Sequence, residues 1–249
     1  MPAVMSTKHE FEPPPTRRPA ARDMELSELA LALHAEPTVA RTVQLIAEYA
    51  RTGLGCEDAG VLLVFSRSRV ETSACTSEPV ATAHDLQVEL DEGPCLDALE
   101  DPSGLYRIDD LEVETRWPRW SPKVVELGYR SVLSVPLATQ ERRYGSMNAY
   151  ASRPHAFDDD DMAVATVLAR HASVALASSQ NAEGLERAVD ARKLIGMAMG
   201  MLMERYGLDQ DRAFDVLRRY SQDHNIKLRD VAERIVVDRD LPAFGPRST

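Results

Sequence analysis

The hydrophobic positions change period along the chain. From 24 to 52 they recur at helical spacing: Leu26, Leu29, Ala30 and Leu33, then, past an interruption at Pro37, Val39, Val43, Ile46, Ala47 and Ala50. Gly53 and Gly55 stop this stripe. Short apolar runs follow. AGVLLVF (59–65) and Arg69–Thr76 flank a polar turn at Ser66–Ser68 and predict a hairpin. Leu86–Leu90 alternates apolar and polar residues, as a half-buried strand does. DEGPCLDAL (91–99) reads as a Gly-Pro turn opening a short helix, Leu105–Ile108 as a strand, and Ser121–Leu127 as a helix ended by Gly128. SVLSVPLA (131–138) and YGSMNAYA (144–151) form a second hairpin about the charged turn Gln140–Arg143.

After Phe157 the period is helical again. The run DDDD (158–161) has the composition of a metal cluster, but carboxylates are also what a helix dipole favours at its N-terminus, and the helix start is preferred. Leu168, Ala172, Ala175, Ala182, Val189 and Ile195 continue as a stripe of mostly small residues. A helix from 158 to Tyr206 would span roughly 70 Å and must bury that stripe, which its copy in a dimer would cover. The alternative is two helices packed on their own domains, divided near Ser178, Ser179 and Gly184. Gly207 suits a left-handed C-cap and Asp209 an N-cap. Ala213, Val216, Leu217 and Tyr220 form one helical face, Asn225 marks a break, and Leu228, Val231, Ala232 and Ile235 form another face before Pro242. Three helices with short connections predict a compact bundle.

Composition narrows the class. The chain has 249 residues, 44 % hydrophobic, enough for two small cores. No run approaches the ~18–20 apolar residues of a membrane span. The first 23 residues carry prolines and mixed charge with no apolar core of a signal peptide, so a disordered tail and a cytoplasmic protein are expected. The three cysteines, Cys56, Cys75 and Cys95, contain no CxxC pair, which argues against a disulfide framework or zinc site. Net charge is −11, an obstacle to nucleic-acid binding, yet residues 183–240 hold 12 acidic against 11 basic residues. The acidity therefore lies mostly elsewhere, and a local basic face remains open there.

The segment from about Leu185 to Asp238 resembles the ANTAR family of RNA-binding antitermination regulators. Ile195-Gly196, Ala198, Gly200, Leu202-Met203, Ala213-Phe214, Leu217-Arg218, Ser221, Asn225, Lys227-Leu228 and Val231-Ala232 carry the match, and Met199 departs from it where relatives often carry lysine. The resemblance implies binding to dual RNA stem-loops by a homodimer. Glycine costs ~1 kcal/mol against alanine inside a helix, so Gly196 and Gly200, four apart on one face, are expected where another helix packs closely. The candidate RNA contacts are Arg192, Lys193, Arg218, Arg219, Ser221, Gln222, Asn225, Lys227 and Arg229: cations for phosphates, Gln222 and Asn225 for the bases of an unpaired loop. Tyr206 and Tyr220 are expected in the core rather than stacked on bases.

Residues 38–180 resemble a GAF domain of the type joined to ANTAR modules in actinobacteria. LQVELDEGPCLDALED (86–101), DDLEVETRWPRW (109–120), GYRSVLSVPLA (128–138), YGSMNAYA (144–151) and the helix from Asp158 carry that likeness. The implied architecture is α+β: an N-terminal antiparallel sheet flanked by helices, joined by a long helix to an all-α three-helix bundle. The expected boundaries are a tail at 1–23, a GAF sensor with its N-terminal helix at 24–180, an ANTAR domain at 181–240 and a tail at 241–249. GAF relatives bind cyclic nucleotides, haem, bilins or small metabolites, so a small-molecule or cyclic nucleotide ligand is open.

Cys95, at a helix start, is a candidate ligand or redox residue if its thiol is acidified there, and a small buried hydrophobe if not. Trp117 is a candidate pocket residue, with core packing preferred. His84, His155 and His171 show no ligand spacing, and no phosphate loop, nucleophile elbow or HExxH occurs. The expected function is therefore a non-enzymatic, signal-responsive antitermination regulator. The alternatives are a cysteine-dependent GAF-type reductase of a small oxidised molecule, and a small-molecule receptor whose bundle binds protein.

Overall fold

The computed structural model describes residue 28 and residues 31–33, 35–66, 69–101 and 104–238. The expected tails at 1–23 and 241–249, and most of the stripe at 24–34, lie outside them. The chain divides into two compact units that meet at Ser179 and Gln180.

In the first unit, helix α1 (Val39–Leu54) starts where Thr38 Oγ1 accepts from Arg41 N, and ends at Gly55 in the left-handed region, φ 62°. It buries Val43, Ile46, Ala47 and Ala50, the stripe legible in sequence. Strands β1 (Asp58–Ser66) and β2 (Arg69–Cys75) follow, then helices α2 (Glu78–Leu90) and α3 (Pro94–Glu100), strand β3 (Tyr106–Ile108), helix α4 (Trp120–Glu126), and strands β4 (Ser131–Ala138) and β5 (Arg143–Ala151). Both expected hairpins form. The five strands make one sheet in the order β2-β1-β5-β4-β3, and each neighbouring pair is antiparallel.

Residues 86–90 correct the alternation reading: they are the last turns of α2. The buried positions of that helix are Val80, Ala83, His84 and Gln87. They recur at helical spacing, but two of the four are polar, so a count of apolar residues misses the stripe and the five-residue window mimics a strand.

Register sorts the sheet residues onto two unlike faces. Val61 pairs with Met147 and Ala59 with Ala149, while Val135 and Leu133 pair with the same two residues from the other side. These join Val43, Ile46, Leu168, Ala172 and Leu176 in one apolar core. The second face carries Gly60, Asn148 and Ser134 in one row. Its apolar part packs Val80, Ile108, Leu111, Trp117, Trp120, Val124, Tyr129, Val132 and Tyr150. At Gly145, φ 152°, a Cβ would sit 1.8 Å from the Leu62 carbonyl oxygen; the central strands pair so closely there that only glycine fits.

Helix α5 (Asp159–Tyr206) is continuous over 48 residues, which excludes the alternative of two helices. The acidic run caps it: Asp161 N donates to Asp158 Oδ1 at 2.9 Å and Asp158 N to Asp161 Oδ2 at 3.1 Å, a reciprocal box of the kind that satisfies first-turn N–H groups. Ser179 does not break the helix because its hydroxyl donates back to Leu176 O at 3.3 Å. Leu168, Ala172 and Ala175 face the sheet core, whereas Val189 is 40 % exposed, so the predicted stripe drifts off one face. By length and composition α5 contains a window long and apolar enough to cross a membrane, contrary to the sequence reading, yet 44 % of that window is buried in protein, as befits a core helix.

In the second unit the end of α5 packs with α6 (Gln210–His224) and α7 (Leu228–Asp238). Gly207 takes φ 65° and Asp209 Oδ1 accepts from Arg212 N at 2.8 Å, as the sequence predicts. Ala198, Leu202, Ala213, Leu217, Val231, Ala232 and Ile235 form the core. One expectation fails within the chain: Gly196 and Gly200 are exposed, and a Cβ at either would meet nothing within 4 Å.

Candidate functional site

The bundle presents its polar candidates unequally. Arg192, Lys193, Arg218, Arg219, Gln222, Asn225, Lys227 and Arg229 are all exposed, while Ser221 is half-buried. Ser221 Oγ donates to Ile226 O at 2.6 Å, so this hydroxyl ties the α6–α7 connection together. Asn225 sits at the α6 C-cap with φ 53°, its N–H donating to Gln222 O and Ser221 O; its backbone makes the turn while its side chain faces water. Arg218 pairs with Asp215 at 2.8 Å and Lys193 with Asp190 at 3.4 Å. Exposed pairs of this kind contribute little, ~0–1 kcal/mol, and open readily. Among the described residues no ion pair engages Arg192, Arg219, Lys227 or Arg229, which leaves three of these cations flanking one helix connection.

The aromatic residues divide. Tyr220 is half-buried and stacks on His224 with centroids 4.0 Å apart. Tyr206 is 52 % exposed, so the expected core packing is corrected: it ends α5 just before Gly207, where the helix stops before its side chain reaches the core. Phe214, at 38 % exposure, is part of the ANTAR resemblance but was not among the candidate RNA contacts. It belongs to the ANTAR-like Ala213-Phe214 pair, where Ala213 alone turns inward.

In the first unit, Cys95 is fully buried. Its Sγ accepts from Gln87 Nε2 at 3.0 Å and donates to Asn148 Oδ1 at 2.9 Å. Burial pushes its thiol up, and hydrogen bonds with Ser146, Gln87, Ser134 and Asn148 only partly oppose this. A thiol raised by burial lacks the acidified character that a redox role draws on. Cys56 is pushed up to about 12, also by burial. Trp117 is buried, donates its indole N–H to Asp97 Oδ2 at 3.0 Å and meets Trp120 edge-on at 6.0 Å. It packs as core.

His84, Gln87, Ser134, Ser146 and Asn148 join Cys95 as fully buried polar groups, and sequence reasoning missed them as a set. Burial lowers His84 to about 4, so it is neutral at ordinary pH. The available signal was in YGSMNAYA, where Ser146, Asn148 and Tyr150 alternate with Met147 and Ala149 along a strand buried on both faces. Among the described residues no cluster of three metal-ligating side chains occurs.

The first unit is an antiparallel sheet with one apolar and one partly polar face, and the second is a three-helix bundle with exposed cations at one connection. The GAF domain model matches residues 36–177 and the ANTAR domain model residues 183–236. The chain belongs to the GAF family and carries an ANTAR domain at its C-terminal end. GAF is a signal-sensing domain and ANTAR an RNA-binding antitermination domain. The chain matches no curated relative. Its fold is similar to the free methionine-R-sulfoxide reductase from Neisseria meningitidis, at 18 % identity and TM-score 0.54 over 70 % of this chain and 99 % of that one. It is also similar to a bacteriophytochrome from R. palustris, at 12 % identity and TM-score 0.59 over 82 % of this chain and 47 % of that one. A third likeness is the GAF domain of a phosphoenolpyruvate-protein phosphotransferase from Coxiella burnetii, at 15 % identity and TM-score 0.54 over 66 % and 96 %. At these identities the likeness is one of fold.

Proposed function

We propose that this chain is a cytoplasmic, non-enzymatic regulator that binds paired stem-loops in nascent RNA and so keeps a terminator hairpin from forming. The observation that supports it most is the ANTAR match over 183–236, together with Arg219, Lys227 and Arg229 around the α6–α7 connection, exposed and engaged by no ion pair among the described residues. Phosphates need cations, and an unpaired loop needs accessible amides; Gln222 and Asn225 lie between those cations. The net charge of the chain is no obstacle, because contact is made through a local face.

The functional unit is a homodimer joined along α5. Val174, Leu185, Val189 and Met203 are 62 %, 68 %, 40 % and 36 % exposed. From Leu185 onward, with Gly196 and Gly200, they fall close to whole helical turns apart, an exposed apolar face of the kind that a second helix covers. The signal received by the GAF unit favours one of two arrangements of that helix pair over the other. Full-length protein titrated with a dual stem-loop RNA should retard it with an affinity that falls steeply with salt. Absence of salt-dependent binding under all signal conditions refutes the proposal, and Arg219→Ala/Lys227→Ala should weaken it without unfolding the chain.

A further inference from the structure

The polar face of the sheet holds hydrogen bonds that run in one direction and stop. Cys95 N donates to Gln87 Oε1 at 2.9 Å, which orients the amide so that Gln87 Nε2 donates to Cys95 Sγ at 3.0 Å. The thiol donates to Asn148 Oδ1 at 2.9 Å. That turns Asn148 Nδ2 toward His84 Nε2 at 3.2 Å. An amide nitrogen can only donate, so Nε2 accepts and the ring proton sits on Nδ1. There the chain ends. His84 Nδ1 and the Tyr150 hydroxyl are buried with no hydrogen-bond partner among the described residues. The two rings are neighbours, with centroids 6.0 Å apart, and both residues are fully buried.

Natural interiors rarely leave buried donors unmatched, because each loses its hydration without replacement. Two such donors on adjacent rings, at the end of a polarised chain, call for an acceptor. Among the described residues no lysine or arginine hydrogen-bonds to His84, Gln87, Cys95, Asn148 or Tyr150, and neutral His84 supplies no charge. A phosphate or carboxylate would enter without a counter-ion. An acceptor oxygen on an uncharged molecule meets both donors at no such cost.

We infer that the GAF unit takes an uncharged small molecule whose acceptor oxygen, of carbonyl or amide type, is held by His84 Nδ1 and the Tyr150 hydroxyl. This rests on the reading of that unit as the sensor. Occupancy closes the hydrogen-bond chain from Gln87 on α2 through Cys95 on α3 to Asn148 on the central strand β5, so the ligand couples both covering helices to the sheet. Cys95 serves as a relay of hydrogen bonds in this arrangement and undergoes no chemistry.

The test uses the full chain with N-methylacetamide, nicotinamide and uracil as neutral probes, and inorganic phosphate and cyclic AMP as anionic ones. The readout is the side-chain 15N resonance of His84 Nδ1 alongside the binding isotherm. At least one neutral probe should saturate and shift that resonance, and the anions should leave it in place. Tyr150→Phe, which deletes one unpartnered atom and should fold, weakens that probe by about fivefold, the worth of one neutral hydrogen bond. The inference is overturned if no neutral probe moves the His84 signal, if an anion does so, or if Tyr150→Phe binds equally well. RNA retardation measured on the same samples separates the two readings. RNA binding without a probe response sinks the ligand inference alone, and a probe response without RNA binding sinks the antitermination proposal alone.

Discussion

Replacing Gly196 and Gly200 together with alanine separates a free helix face from an interface. Both glycines lie inside α5, and a Cβ at either position meets no atom of the chain within 4 Å. In an isolated chain each substitution should therefore stabilise the helix by about 1 kcal/mol. If the two effects add, the bundle gains about 2 kcal/mol, worth roughly 8–16 °C in a small domain. A dimer packed along this face behaves oppositely. Two protomers place four new methyl groups where the backbones approach most closely, and each overpacked site costs about 1–3 kcal/mol. The dimer dissociation constant should then rise at least tenfold. Sedimentation equilibrium reads that constant, and urea unfolding at low protein concentration reads the gain within the monomer. A variant that is more stable yet dimerises as tightly as the parent would refute the use of this face, and the dimer would have to form elsewhere.

Other outcomes follow from the two cores and the cationic turn. Leu217→Ala removes a fully buried side chain from the seven-residue core of the bundle and should cost about 2–5 kcal/mol. Calorimetry should show this loss in the C-terminal unit, with RNA retention falling in parallel. His84 is held neutral, its pKa lowered from 6.5 to about 4 by burial. The unfolded chain therefore binds a proton that the folded chain refuses between those values. Stability should be full above pH 6.5 and fall by about 3 kcal/mol as pH drops toward 4, and His84→Gln should flatten a denaturation series in that window. Arg229→Ala should reduce the slope of log affinity for RNA against log salt by about one unit, whereas Lys193→Ala, whose ammonium already pairs with Asp190, should change it less. A slope unchanged by Arg229→Ala would place the phosphate contact on another residue.

Much of the fold was readable from spacing. The two hairpins, helix α1, the glycine stop at Gly207, the cap at Asp209 and the break at Asn225 were visible because each depends on residues within one turn or one strand pair. Helix α2 was not. Its buried face mixes Val80 and Ala83 with His84 and Gln87, and no hydropathy period marks a helix that buries polar groups. The candidate RNA residues were legible as types, but the backbone at Asn225 and the hydroxyl of Ser221 turned out to build the α6–α7 connection, a local duty that only coordinates reveal.

The sequence by itself determined most of the succession of elements, α2 excepted, and the family of each part, because these rest on local periodicity and on motifs within short spans. Tertiary structure decided what those elements enclose. Strand register brought Asn148, Ser134 and Gly60 into one row, and packing laid His84, Gln87 and Cys95 over it from two helices distant in sequence. Burial then raised the Cys95 thiol, in keeping with the reading of this residue as a small buried group rather than an acidified one. The exposed face at Gly196 and Gly200 was likewise settled in space, because a glycine's neighbours, unlike its helix propensity, lie outside the local sequence.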